Sequence, residues 1–195
     1  MTETTVAKKS TATDLALIAA FAALIVVAAL IPAINIPGPI DITLQTFAVL
    51  LAGAVLGAWR GFLAVALYIS LGLIGLPVFS DGASGFGVVV GPSGGYLLGF
   101  LPAAAMCGFL VERFIGHRAA TNVPLVFAAG LVSSIMFIHT LGILGMMNSL
   151  GLSFSEAWKI DIVFWPGDVV KNLAMAFVAT AVHRAFPDIL IDRRK

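Results

Sequence analysis

Apolar residues in this chain run in long blocks and do not alternate with polar ones. A bilayer-crossing helix needs ~20 residues, and on that measure the blocks give six candidate spans. They lie at about residues 15–34, 43–58, 62–76, 96–111, 123–147 and 162–182. Long runs of this kind exclude the alternating strands of a membrane barrel, so the expected fold is all-α: an integral membrane bundle of six transmembrane helices. Residues 1–195 form one membrane domain with polar tails at 1–13 and 186–195, and Thr13-Asp14 are expected to cap the first span. That first block is followed by Pro32, Pro37 and Pro39 with no small-residue cleavage site, so it reads as an uncleaved span.

Charge gives the bundle an orientation. Six spans put both termini on one side of the membrane. Of 11 Lys and Arg, nine fall on that side: Lys8, Lys9, Arg60, Arg113, Arg118, Arg184, Arg193, Arg194 and Lys195. Lys159 falls opposite and Lys171 lies within the sixth apolar block. The positive-inside rule then makes the termini cytoplasmic. Three connections face outward: 37–41, 77–95 and 148–161.

Composition agrees with a lipid solvent: 60% of residues are hydrophobic and 11% charged, with mean hydropathy +1.06. A net charge of +1 with no basic block beyond the ends excludes a nucleic-acid footprint. The single cysteine, Cys107, sits in an apolar run without a partner and reads as a packing residue. No phosphate-loop motif occurs, so any ATP hydrolysis belongs to a partner.

Ionisable residues within a span are costly and mark candidate function. The sixth span carries two, in Trp165-Pro166-Gly167-Asp168-Val169-Val170-Lys171-Asn172. A helix puts Asp168, Lys171, Asn172 and Met175 on one face, with Asp168 roughly 9 Å below the outer boundary at ~1.5 Å rise per residue. A carboxylate accepts and an ammonium donates, so the pair can grip a cyclic urea or amide. The competing reading is a self-neutralising pair bonded to neighbouring helices. The stretch 75–96 is too rich in glycine for a continuous helix; it is either a ligand-lining loop walled by Phe79, Phe86 and Tyr96, or an ordinary exposed loop. Gln45 at the outer end of the second span can complete a pocket or join helices. Ala16, Ala20 and Ala23 form a small-residue stripe that can dock a partner or pack within the bundle, where Gly53, Gly57 and Gly61 repeat the spacing. His139, near Ser133, Ser134 and Thr140, reads as a hydrogen-bonded packing residue, not a relay or metal ligand, and His117 and His183 read as interfacial.

Four ordered segments carry a resemblance. They are Ile42-Thr43-Leu44-Gln45-Thr46-Phe47 with the apolar run to Gly53, Gly75-Leu76-Pro77-Val78-Phe79, Gly91-Pro92-Ser93-Gly94-Gly95-Tyr96-Leu97-Leu98-Gly99-Phe100, and Pro166-Gly167-Asp168-Val169-Val170-Lys171. Together they resemble the BioY family, the biotin-binding S components of energy-coupling factor transporters, over about residues 16–182. The resemblance implies a bacterial-type inner-membrane protein with biotin as its transported ligand and no cofactor or metal. It implies a biotin site near the outer face contacted by Asp168 and Lys171; from the reading of the residues themselves, Gln45, Tyr96, Gly94, Phe79, Phe86 and Asn172 are expected around it. It also implies a membrane coupling protein and two ATPase subunits as partners, contacted through Ala16 and Ala20. Two departures stand out: Trp165 where a smaller residue is expected, and Leu97-Leu98 with no basic residue after Gly-Gly-Tyr. The second leaves the ligand carboxylate to Lys171, to loop N–H groups, or to Ser84 or Ser93. The expected function is biotin capture and uptake without catalysis. The alternatives are another vitamin, an assembly subunit, or an acid/base enzyme, the last requiring Asp168, Lys171 and His139 to converge.

Overall fold

A chain that must close its backbone hydrogen bonds away from water is driven to helix. The structure, a computed structural model, describes residues 11–33 and 39–190, the side chain of His117 excepted. Both tail ends, with Lys8, Lys9, Arg193, Arg194 and Lys195, lie outside the described residues, as do Pro37 and Gly38 of the first connection.

Helix α1 covers Thr11–Leu30, α2 Gln45–Leu56 and α3 Ala58–Leu73. A short helix α4, Phe86–Val90, precedes α5, Gly94–Leu110, which runs on through a π turn at Val111–Ile115. Helices α6, Val123–Ser133, and α7, Thr140–Leu150, are joined by a π segment at Ser134–His139. Helix α8, Phe154–Asp161, meets α9, Trp165–Ala185, at a 50° bend. Among the described residues, three stretches are long and apolar enough to cross a membrane: Thr11–Leu30, Gly94–Ile115 and Val123–Leu150. The bent pair α8 and α9 makes a fourth, and α2 and α3 are shorter apolar helices.

Helix α2 is the hub, apolar all round and buried at every position from Ala48 to Leu56, as a helix enclosed by others should be. It packs against α1, α3, α5 and α9. Close approach is set by glycine: a Cβ at Gly53 would lie 2.2 Å from the Ala104 carbonyl oxygen, and one at Gly61 would lie 2.7 Å from Gly53 Cα. The small-residue spacing of Gly53, Gly57 and Gly61 is therefore spent inside the bundle.

A single residue separates α2 from α3. Gly57 takes φ +85°, and a Cβ there would meet Glu112 Oε1 at 2.0 Å. The Glu112 carboxylate accepts instead from Ala58 N at 3.1 Å, satisfying a free N–H at the start of α3. This sharp break starts α3 earlier than the sequence blocks indicate, so Arg60 is not in a connecting loop. It is 3% exposed, donates to Leu56 O (3.0 Å) and Asp14 Oδ1 (3.2 Å), and also reaches Ile189 O. Asp14 and Thr13 lie within α1, and Asp14 serves Arg60. His183 is also not interfacial, being buried with Nε2 2.8 Å from Ala54 O. Cys107 is buried against Leu50 O, a packing position.

The glycine-rich stretch breaks into short pieces, a 3₁₀ turn at Ser80–Gly82 and α4. α8 opens with a capping box, in which Ser153 Oγ accepts from Glu156 N and Ser153 N donates to Glu156 Oε2 at 2.9 Å.

Candidate functional site

The first turn of α9 builds the centre of the site. Pro166 suits that turn because its missing N–H would be unbonded there anyway, and Asp168 follows, where the positive end of the helix dipole favours a carboxylate. Lys171 is one turn on, its Nζ 2.5 Å from Asp168 Oδ1 and 3.0 Å from Thr43 O. Thr46 at the start of α2 donates to the same Asp168 oxygen at 3.0 Å. The second oxygen, Oδ2, lies 3.5 Å from His139 Nε2. Asn172, one turn below, donates to Asp168 O at 3.0 Å, and its own Oδ1 is buried without a hydrogen-bond partner.

A second carboxylate lies behind the first. Asp161, at the end of α8, is 0% exposed and accepts from Tyr96 OH (2.7 Å) and Trp165 Nε1 (2.8 Å). His139 Nδ1 stands 3.0 Å from each of its oxygens. The imidazole also packs against the Trp165 ring, 5.2 Å between centroids. Four segments, α5, the π segment, α8 and α9, are thus joined through one buried acid. The π segment is what turns His139 inward, a common use of such bulges at functional sites.

In front of Asp168 and Lys171 opens a cavity of about 230 Å³. Residues 39–43, Gln45, Thr46, residues 79–81 and Ala83 line it, with Val88, Ser93, Tyr96, Leu97, Phe100, Ile138 and Phe164. Apolar walls with a few convergent polar groups are the usual form of a small-molecule site.

Five of the residues singled out in the sequence line this cavity: Asp168, Lys171, Gln45, Tyr96 and Phe79. The other three do not. Phe86 is 68% exposed, because Gly85 at φ +84° turns the chain so that α4 presents it outward. Gly94 opens α5 against the Val89 carbonyl oxygen, which stands 1.7 Å from where a Cβ would be, so its role is backbone approach. Asn172 is buried beneath Asp168 and supports it. Of the two hydroxyls considered for the ligand carboxylate, Ser93 lines the cavity and Ser84 does not, while Ser80 does and its Oγ is buried without a partner. Ala16 and Ala20 are exposed on α1, as are Ala19 and Ala23.

Sequence reasoning missed Thr46, Ser80 and Asp161. Asp161 reads as a loop acid, though its place two helical turns before Asp168, with Trp165 between, is a signal for a shared face. His139 is buried and hydrogen-bonded, and it does converge with Asp168 and Lys171, the arrangement that an acid/base enzyme would require.

The comparisons with known proteins decide what kind of site this is. The model of the BioY family matches residues 2–188. The chain belongs to the BioY family. A BioY relative, the biotin transporter of Rhodobacter capsulatus, is 41% identical over 192 residues, covering 92% of this chain and 98% of that protein. The biotin transporter of Rhizobium etli is 38% identical over 177 residues, covering 89% and 95%. The crystal structure of the S-component for biotin from an ECF-type ABC transporter superposes with a TM-score of 0.84 at 26% identity, covering 89% of this chain and 92% of that one. These BioY relatives are named as transporters, not enzymes.

Proposed function

We propose that this chain is the substrate-capturing S component of a biotin uptake system, and that the cavity before Asp168 and Lys171 takes biotin. The observation that carries the reading is the pairing of one buried carboxylate and one ammonium in the wall of a cavity that also presents aromatic rings and hydroxyls. Biotin's ureido ring offers two N–H donors and a carbonyl. Asp168 accepts from an N–H and Lys171 donates to the carbonyl, while Phe79, Phe100 and Phe164 face the thioether ring and chain. Ser80 and Ser93 are positioned for the tail carboxylate. No bond is made or broken.

The proposed setting is an inner membrane crossed six times, with both termini cytoplasmic and the cavity facing out. The shorter helices α2 and α3 count as two of the spans, and the bent pair α8 and α9 as the sixth. The distribution of Lys and Arg supports this orientation. Energy comes from a membrane coupling protein and two ATPase subunits. The exposed alanine stripe of α1 supports docking there, because lipid does not call for small residues whereas a close helix contact does.

The test is labelled-biotin binding to the purified chain in detergent, with riboflavin and thiamine as competitors and Asp168→Asn alongside. Binding displaced only by biotin and weakened in the variant is expected. Displacement by another vitamin, or no binding, overturns the biotin reading.

A further inference from the structure

Asp168 does not face the cavity as a free carboxylate; its rear oxygen is backed by a buried acid and a buried imidazole that never reach the cavity wall. Asp161 is fully buried and neither it nor His139 lines the cavity. His139 lies between the two acids, Nδ1 3.0 Å from Asp161 and Nε2 3.5 Å from Asp168 Oδ2. Nδ1 is within hydrogen-bond distance of both Asp161 oxygens and Nε2 faces Asp168 Oδ2 at ion-pair range, so the ring spans the two acids. The other polar groups facing this relay are donors: Tyr96 from α5 and Trp165 from α9 donate to Asp161, and Thr46 from α2 donates to Asp168.

We propose that Asp161 and His139 are positioning residues for ligand binding: Asp161, fixed by Tyr96 and Trp165, holds His139 so that its two ring nitrogens face the two carboxylates and the ring aims Asp168 into the cavity. Trp165, the residue that departs from the family pattern, is one of the anchors. The inference rests on the biotin reading of the cavity.

The test is a cycle on the full-length chain in detergent: labelled-biotin affinity of Asp161→Asn, Asp168→Asn and the double variant, with unfolding midpoints alongside. Asp161→Asn is expected to weaken binding about tenfold, the scale of a lost charge-assisted bond. Because it acts through Asp168, it should add less than about twofold when Asp168 is already changed, as coupled sites do. Unchanged affinity in Asp161→Asn, or its full penalty persisting on top of Asp168→Asn, overturns the relay. Normal binding by Asp168→Asn overturns the ligand reading as well, so the two failures are distinguishable. Histidine side-chain ¹⁵N spectra of the unliganded chain and of its Asp161→Asn variant supply a readout free of binding, with His139→Gln identifying the signal among three histidines. The His139 ring-nitrogen signals are expected to move in Asp161→Asn; unmoved signals overturn the proposal.

Discussion

Thr46 on α2 donates its hydroxyl hydrogen to Asp168 on α9 across 3.0 Å, a bond between residues 122 apart in the chain. It fixes the carboxylate relative to the hub helix and leaves the Lys171 ammonium on the same oxygen. Thr46→Val keeps the branched shape and removes the donor. Hydrogen bonds to charged groups are worth about 1.5–3 kcal/mol, so biotin binding should weaken about tenfold while the unfolding midpoint changes little. Equal affinity would show that Asp168 is held well enough without it.

Asp168 and Lys171 are so close that neutralisation alone could account for them. The two roles separate in a double change. If the pair only cancels charge, Asp168→Asn/Lys171→Met binds biotin like the wild type. If both grip the ligand, each single variant loses at least tenfold, about 1.5–3 kcal/mol, and the double variant is weaker still. The same binding assay reads all three.

Much of this fold is legible in the sequence because composition dominates it: long apolar blocks in a chain with few charges leave helices as the solution. The pair Asp168 and Lys171 is legible because charge within an apolar block is conspicuous. What escapes is whatever depends on two distant segments meeting. Arg60 reads as a loop cation, yet the Gly57 break and the approach of Asp14 and Ile189 bury it. Asp161 reads as a loop acid since nothing local shows that Tyr96 and His139 arrive around it. Phe86 reads as a cavity wall because it is aromatic and near glycine, and only the turn at Gly85 reveals which way it faces.

Packing of the hub makes a prediction independent of any ligand. Gly53→Ala places a methyl 2.2 Å from the Ala104 carbonyl oxygen, which is backbone and cannot swing aside. Overpacking of that kind costs about 1–3 kcal/mol and should lower the thermal midpoint in detergent. Gly87→Ala in α4 is the control: no atom lies within 4 Å of its Cβ, so the midpoint should hold.

Ser80 gives a handle on the far end of the ligand. Ser80 lines the cavity, its Oγ is buried without a partner, and Lys171 is the sole cation among the lining residues. With the ammonium's three N–H groups taken by Asp168, Thr43 O and, in the proposed pose, the ureido carbonyl, the tail carboxylate needs other donors. Ser80→Ala should weaken biotin by about 1.5 kcal/mol, roughly tenfold, and weaken a biotin amide much less. An equal loss for both ligands would assign Ser80 to packing.

The alanine stripe of α1 separates binding from uptake. Its inward face buries Ala22, Ile25, Ala28 and Ala29, while Ala16 and Ala20 are exposed, so bulk added at the latter two points away from the packed face of the described bundle. Ala16→Phe and Ala20→Phe should therefore leave the affinity of the purified chain for biotin unchanged. A neighbouring helix that approaches closely across small residues would be pushed away by either ring. Uptake of labelled biotin by cells supplying the coupling protein and ATPases should then fall to the level of cells lacking them. Intact uptake would remove the stripe as the docking face, and impaired binding would mean that α1 packs more closely on the bundle than its exposed alanines indicate.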